Sequence, residues 1–138
     1  MNDLSRRSFF LLGAAFAVSA CSATIPPLPA SSASRPEQLT RDQIIAAINA
    51  TRRANGAPAW TYNPRLETAA LSQARLMAAK DTLSHDLGVT LRQRVTEAGY
   101  LGAVGENVAK GYKSLPDVIE GWLASKGHRD TLLSPKFT

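Results

Sequence analysis

Three side chains in this sequence have the chemistry to bind a metal ion or move a proton near neutral pH. His85 and His128 are the chain's two histidines, and Glu106 stands in a Gly-Glu-Asn sequence. Imidazole titrates near neutrality and is a common metal ligand, and a carboxylate can serve as a ligand or a general base. If the fold brings the three together, they can bind Zn²⁺ or another divalent cation with one position left open for water.

Such a trio is compatible with two functions. A metal-bound water could attack a peptide or cell-wall substrate, which would make the protein a metal-dependent hydrolase with His85, Glu106 and His128 as candidate catalytic residues. The chain contains neither a His-Glu-x-x-His motif nor a Gly-x-Ser-x-Gly motif, so we favour a binding module. Structural roles also remain open, because Glu106 could accept backbone N–H bonds and each histidine could satisfy the last carbonyls of a helix.

Four helices are predicted to position these side chains. Thr40-Arg41-Asp42-Gln43 forms a capping box, so the first helix is expected over 41–54, before Asn55-Gly56. Asn63-Pro64 predicts the start of the second helix, which ends near Lys80, shortly before His85. Thr90 is expected to cap a third helix over about 91–98, ended by Gly99.

The segment around Glu106 is predicted to be irregular chain with a short strand. Residues 100–112 are rich in glycine and β-forming side chains, and residues 59–62 form a second candidate strand. Ser114 is expected to cap the fourth helix. Gly127 is expected to end that helix in a left-handed conformation, with His128 directly after it.

The first residues are predicted to be a targeting signal rather than a part of the fold. Residues 5–11, with Arg6 and Arg7, have the form of a twin-arginine export signal, and the apolar run at 9–20 is too short to span a bilayer. Val18-Ser19-Ala20-Cys21 resembles a lipobox, which implies a lipid on Cys21. The alternative is an ordinary signal peptide that contains a cysteine. We expect an exported envelope protein, anchored by lipid to a bacterial membrane.

Composition predicts one small domain after a tether. Residues 1–21 form the signal with its lipobox cysteine, residues 22–36 form a Pro/Ser/Ala-rich linker, and residues 37–138 form a single domain. Cys21 is the only cysteine, which excludes disulfides and thiolate metal sites from that domain. The net charge of +5 comes from scattered basic residues, so no nucleic-acid partner is expected.

Several motifs along the domain resemble, in order and spacing, those of one family. They are Asn49-Ala50-Thr51-Arg52, Leu66, Ala69-Ala70, Met77, Ser84-His85, Arg94, Ala98-Gly99-Tyr100, Gly105-Glu106-Asn107-Val108-Ala109, Trp122, Ser125-Lys126-Gly127-His128-Arg129 and Leu132-Leu133. Together they resemble the CAP superfamily (cysteine-rich secretory proteins, antigen 5 and pathogenesis-related 1), whose domain is also called the SCP domain. The similarity covers roughly residues 40–138 and is greatest with the cysteine-free bacterial branch.

The resemblance implies an α+β fold, an α-β-α sandwich of four helices with a small antiparallel sheet. It also implies a cleft that holds His85, Glu106 and His128, where a divalent metal, often zinc, is bound in several members. Ser125 stands where many members carry a second glutamate. The family continues beyond the position of Thr138 into further strands, so we expect an incomplete domain lacking its C-terminal strands.

The expected partners follow from the predicted export and lipidation signal and from the sheet that is expected to lack its C-terminal strands. We expect the chain to attach to the membrane through a lipid on Cys21. We also expect the cleft to bind a cell-wall component, a lipid or a protein. Because an unpaired strand favours association, we also expect a homodimer through the unfinished sheet edge.

Overall fold

The computed structural model describes residues 38–138, which contain five α-helices. They are α1 (Arg41–Ala54), α2 (Pro64–Ala79), α3 (Leu91–Glu97), α4 (Leu115–Ala124) and α5 (Lys126–Leu133). Among the helices of this range, none is long and apolar enough to cross a membrane. The predicted export signal with Arg6 and Arg7, the lipidation site at Cys21 and the linker 22–36 lie outside the described residues.

The predicted starts of the first four helices are confirmed by their caps. Thr40 and Gln43 form the reciprocal capping box of α1, and Thr90 forms the same box with Gln93 at α3. The Asn63 side chain accepts a hydrogen bond from the second residue of α2, and Ser114 caps α4. These helices begin where predicted because a cap is a local signal, fixed by residues within one turn of each other.

The chain beyond α4 differs from the prediction. Ser125 ends α4 in an extended conformation (φ −90°, ψ 122°) and begins α5 at the next residue. The backbone N–H of Arg129 donates to the carbonyl of Ser125 at 2.8 Å, so helical bonding resumes at once. The expectation of a left-handed Gly127 is therefore wrong, and there are five helices rather than four. His128 lies inside α5 instead of following a helix end.

Neither predicted strand forms within residues 38–138, so the small antiparallel sheet is not confirmed. The extended segment at Trp60 is bonded to the side chain of Asn49, which accepts from the Trp60 N–H at 2.7 Å and donates to its carbonyl at 2.9 Å. The carbonyl of Val108 accepts from the Trp122 indole at 3.2 Å. Side chains of α1 and α4 thus satisfy backbone groups that a neighbouring strand would otherwise satisfy.

The absence of strands from residues 38–138 affects the prediction of a homodimer formed through a sheet edge. Because residues 38–138 contain no strand, this part of the chain presents no sheet edge through which a second copy could pair. Homodimer formation stays a prediction.

The helices form two packed groups that meet at the segment around Glu106. In the first, α4 packs against α1 and α5 around Ile48, Ile119 and Leu132. In the second, α2 packs against α3, with Ala69 and Val95 buried. The segment between α3 and α4 runs from one group to the other, so its side chains can contact both.

The guanidinium of Arg52 holds the end of α1 against the chain that follows α5. It is fully buried, lies 4.7 Å from the centre of the Trp60 ring, and burial lowers its pKa. It donates to four backbone carbonyls at 2.5–3.1 Å, those of Pro58, Leu132, Ser134 and Phe137. No carboxylate of residues 38–138 takes part, so this buried charge is stabilised by carbonyl dipoles, one of them at the C-terminal end of α5, and by the face of the Trp60 ring.

Candidate functional site

His85 and Glu106 form a hydrogen-bonded pair, as the predicted site requires. His85 Nδ1 lies 2.9 Å from Glu106 Oε2, with the imidazole 56% exposed and the carboxylate 12% exposed. When the neutral ring donates its Nδ1–H to the carboxylate, Nε2 carries the lone pair. That nitrogen can then accept a hydrogen bond or a proton, or coordinate a metal ion. The imidazole is the exposed member of the pair, and the carboxylate lies beneath it.

Arg94 of α3 holds both members of the pair. Its guanidinium is fully buried, and Nη2 bonds the second oxygen of Glu106. Nη1 donates to the carbonyls of Val89 at 2.7 Å and of His85 at 3.2 Å. One rigid, forked group therefore fixes the carboxylate and the backbone of the histidine relative to each other.

The loop that carries His85 is fixed from two further sides. Gln73, buried in α2, donates from Nε2 to the carbonyl of Ser84 at 2.5 Å. At the other end of the loop, Lys110 lies 2.6 Å from the carboxylate of Asp81 and lowers the pKa of that carboxyl, chiefly through this hydrogen bond. Asp81 has a positive φ of 47°, at which a non-glycine residue is strained. His85 is therefore held in place by its loop as well as by Glu106.

Each residue of the Gly-Glu-Asn sequence contacts a different part of the fold. A Cβ at Gly105 would lie 2.8 Å from the ring of Phe137 and 2.9 Å from the methyl group of Thr131, so any larger residue would force these side chains to shift. Glu106 bonds Arg94 and His85, and Asn107 donates from Nδ2 to the carbonyl of His128 at 3.0 Å. The motif thus joins α3 and the His85 loop to α5.

The side chain of His128 is engaged elsewhere. Its Nδ1 lies 2.9 Å from Oγ of Ser125, three residues earlier at the start of α5. Ser125, the residue that the family resemblance places where many members carry a glutamate, is thus the hydrogen-bond partner of this imidazole. Only the backbone carbonyl of His128 reaches the Gly-Glu-Asn motif. The structure brings His85 and Glu106 together but does not add the His128 imidazole to them.

The side chains as placed do not fit a three-ligand metal site. Across residues 38–138, no group of three or more His, Cys, Asp or Glu side chains is arranged to hold a metal ion. Both oxygens of Glu106 are engaged, one by Arg94 and the other by His85. The expected zinc ion, with His85, Glu106 and His128 as its ligands, stays a prediction.

Arg129 and Gln73 make hydrogen bonds that the sequence did not predict. Arg129 donates from Nη1 to the carbonyl of Leu123 at 2.8 Å. Asp130 pairs with Lys126 at 2.5 Å, a hydrogen bond that lowers the pKa of Asp130. The role of Gln73 was not predicted, although a polar residue four positions after Ala69, within the apolar stripe of α2, was a usable signal.

Comparison with known proteins identifies the family. The sequence profile of the CAP family, the cysteine-rich secretory protein family, matches residues 45–138. The uncharacterized protein YkwD of Bacillus subtilis (strain 168) is 27% identical over 99 residues, which cover 70% of this chain and 38% of YkwD. A crystal structure of an extracellular protein containing an SCP domain, from Bacillus anthracis strain Ames, matches with a TM-score of 0.66 and 28% identity, over 70% of this chain and 34% of that one.

This chain therefore spans little more than a third of the length of either relative. The profile match covers most of the residues described here, including every residue of the His85–Glu106–Arg94 cluster. The chain belongs to the CAP (cysteine-rich secretory protein) family.

Proposed function

We propose that this chain is an exported CAP-domain protein that binds a component of the bacterial envelope through His85. The observation that carries the proposal is the arrangement of His85, Glu106 and Arg94. Arg94 and His85 engage both oxygens of Glu106, which is 12% exposed, whereas the imidazole is 56% exposed. An incoming ligand would meet the imidazole first, held in a fixed orientation by groups behind it.

Binding is a better match to this arrangement than hydrolysis. A hydrolase of the metal-dependent kind would need a third ligand and a free base to activate water. Glu106 is already committed to two partners, and the His128 imidazole is bonded to Ser125. Hydrolysis of peptide or cell-wall substrates remains the alternative proposal, with no contact among residues 38–138 that favours it.

The proposal of export is supported by the sequence and by a relative, and the proposal of lipid anchoring is supported by the sequence. The matching Bacillus anthracis structure is described as that of an extracellular protein. Arg6 and Arg7 supply the form of a twin-arginine signal, and Cys21 follows a lipobox-like sequence. We propose that Cys21 is lipidated and holds the domain at the outer side of a bacterial membrane, where a wall polymer, a lipid or a partner protein is within its reach.

The binding proposal is tested by cosedimentation of the full chain with purified peptidoglycan sacculi. We expect the wild-type chain to sediment with sacculi and His85→Ala to lose about tenfold in affinity, the size of one lost hydrogen bond. Arg75→Ala, an exposed residue on α2, is the matched control and should bind as the wild type does. Equal binding by His85→Ala would remove His85 from the binding surface.

The hydrolase alternative is tested with the same material. Sacculi and peptide substrates are incubated with the chain in the presence and absence of Zn²⁺, and released products are measured. We expect no turnover in either condition. Zinc-dependent turnover that is abolished by Glu106→Gln would support the alternative and contradict the binding-only proposal.

A further inference from the structure

The turn that follows α3 is closed by hydrogen bonds. Gly99 has a positive φ of 78°, and the N–H of Tyr100 donates to the carbonyl of Val95 at 2.8 Å, which ends the helix. The Tyr100 hydroxyl donates to the carbonyl of Ala103 at 3.2 Å. A Cβ at Gly102 would lie 2.7 Å from that hydroxyl, so a larger residue at this position would force the Tyr100 side chain to shift.

This turn exposes a leucine. Leu101 is 80% exposed, against 51% for Leu83 and 46% for Leu71, the next most exposed large aliphatic residues of the described chain. Exposing a leucine forgoes the free energy that its burial would contribute. The turn therefore has the form of a surface built to present one apolar side chain.

Two guanidinium groups flank this leucine. Arg65 of α2 donates to the carbonyl of Gly99 at 2.9 Å, and Arg92 of α3 donates to that of Gly102 at 3.4 Å. Both bonds are made to exposed carbonyls, so both charges stay at the surface. Glu97, exposed at the end of α3, is the acidic residue between Leu91 and Gly102, so Arg65 and Arg92 outnumber the acidic residue of this segment.

We propose that the 99–102 turn is a membrane contact, with Leu101 inserted at the boundary between headgroups and acyl chains of an anionic bilayer and Arg65 and Arg92 on the lipid phosphates. An apolar tip between guanidiniums matches that boundary, where apolar insertion and attraction to anionic lipid add together. A stable protein partner would need about 800 Å² of contact surface on this side, far more than one leucine offers. The contact is separate from the His85 site and from the proposed lipid on Cys21.

A fluorescent label that senses polarity tests the contact at the residue itself. The full chain carrying Cys21→Ser and Leu101→Cys, labelled at position 101, is mixed with vesicles of phosphatidylglycerol and phosphatidylcholine or of phosphatidylcholine alone. Leu71→Cys in the same background is the matched control, because it replaces an exposed leucine one helical turn from Arg75. Each label reports its own depth, whatever else in the chain touches the bilayer.

We expect a blue shift and a rise in emission at position 101 with the anionic vesicles, and neither change at position 71. The shift should be lost at high ionic strength, which screens exposed charges, and in a chain that also carries Arg65→Gln and Arg92→Gln. No shift at 101, an equal shift at 71, or an equal shift with uncharged vesicles would each overturn the proposal.

Discussion

Replacing Arg94 by methionine removes the one group that holds both Glu106 and the backbone of His85. The substitution keeps an unbranched side chain of similar length in α3, so the chief loss is polar. Glu106, 12% exposed, would lose the guanidinium that bonds one of its oxygens, and the carbonyls of Val89 and His85 would each lose a donor. The change therefore tests whether the site is assembled as described.

The expected cost is large for a domain of about one hundred residues. Removing one partner of a buried ion pair costs about 3–5 kcal/mol, and each abandoned carbonyl adds about 1 kcal/mol. Because Glu106 is not completely buried and water can reach it, we expect about 3–4 kcal/mol in total. That corresponds to a fall in Tm of roughly 12–30 °C at this size.

Urea unfolding followed by circular dichroism measures the loss. Arg94→Lys keeps the charge but lacks the fork that reaches three acceptors, and should lose an intermediate amount, about 1–2 kcal/mol. Arg75→Met, the same change at an exposed α2 position, should stay within about 0.5 kcal/mol of the wild type. If Arg94→Met also stays within about 1 kcal/mol, Arg94 does not hold the pair and the description of the site is wrong.

Three further predictions test other contacts of the fold. Arg52→Met should destabilise the domain by at least about 3 kcal/mol in urea unfolding, since four carbonyls lose a buried donor, and a loss below about 1 kcal/mol would contradict that role. Gly105→Ala should cost about 1–3 kcal/mol and shift the NMR signals of the His85 ring, because its Cβ meets Phe137 at 2.8 Å, and unchanged ring signals would refute the coupling. Lys110 lowers the folded-state pKa of Asp81, so this pair stabilises the fold above about pH 4 and its contribution is lost as the pH falls through the lowered value. Urea midpoints should therefore fall more steeply with acid in the wild type than in Asp81→Asn, and parallel curves would show that the pair contributes nothing.

The sequence predicts those parts of the fold that depend on neighbouring residues. Thr40, Asn63 and Thr90 cap their helices through residues two or three positions away, and the prediction holds at each. Ser125 fails as a local signal because a serine can stand at either end of a helix, and it stands at both here. The following Gly127 then takes a helical position instead of the left-handed one.

The parts that were not predictable depend on contacts distant in the sequence. The segment at Trp60 has the composition of a strand, yet the Asn49 side chain satisfies its backbone. Arg52 bonds carbonyls eighty or more residues ahead, which no pattern around position 52 could indicate. In the site, the pair of His85 and Glu106 could be named from residue type and motif. The separation of His128 could not, because it follows from the unpredicted α5.

The central claim is that Glu106 accepts the Nδ1 proton of His85 and so orients its exposed imidazole. Long-range ¹H–¹⁵N NMR of the imidazole nitrogens, recorded with the ring neutral, distinguishes the two tautomers directly. We predict that Nδ1 carries the proton in the wild-type chain and that Glu106→Leu, which removes the acceptor, shifts the ring toward the Nε2–H tautomer. An Nε2–H ring in the wild type, or the same tautomer ratio in both proteins, would contradict the account.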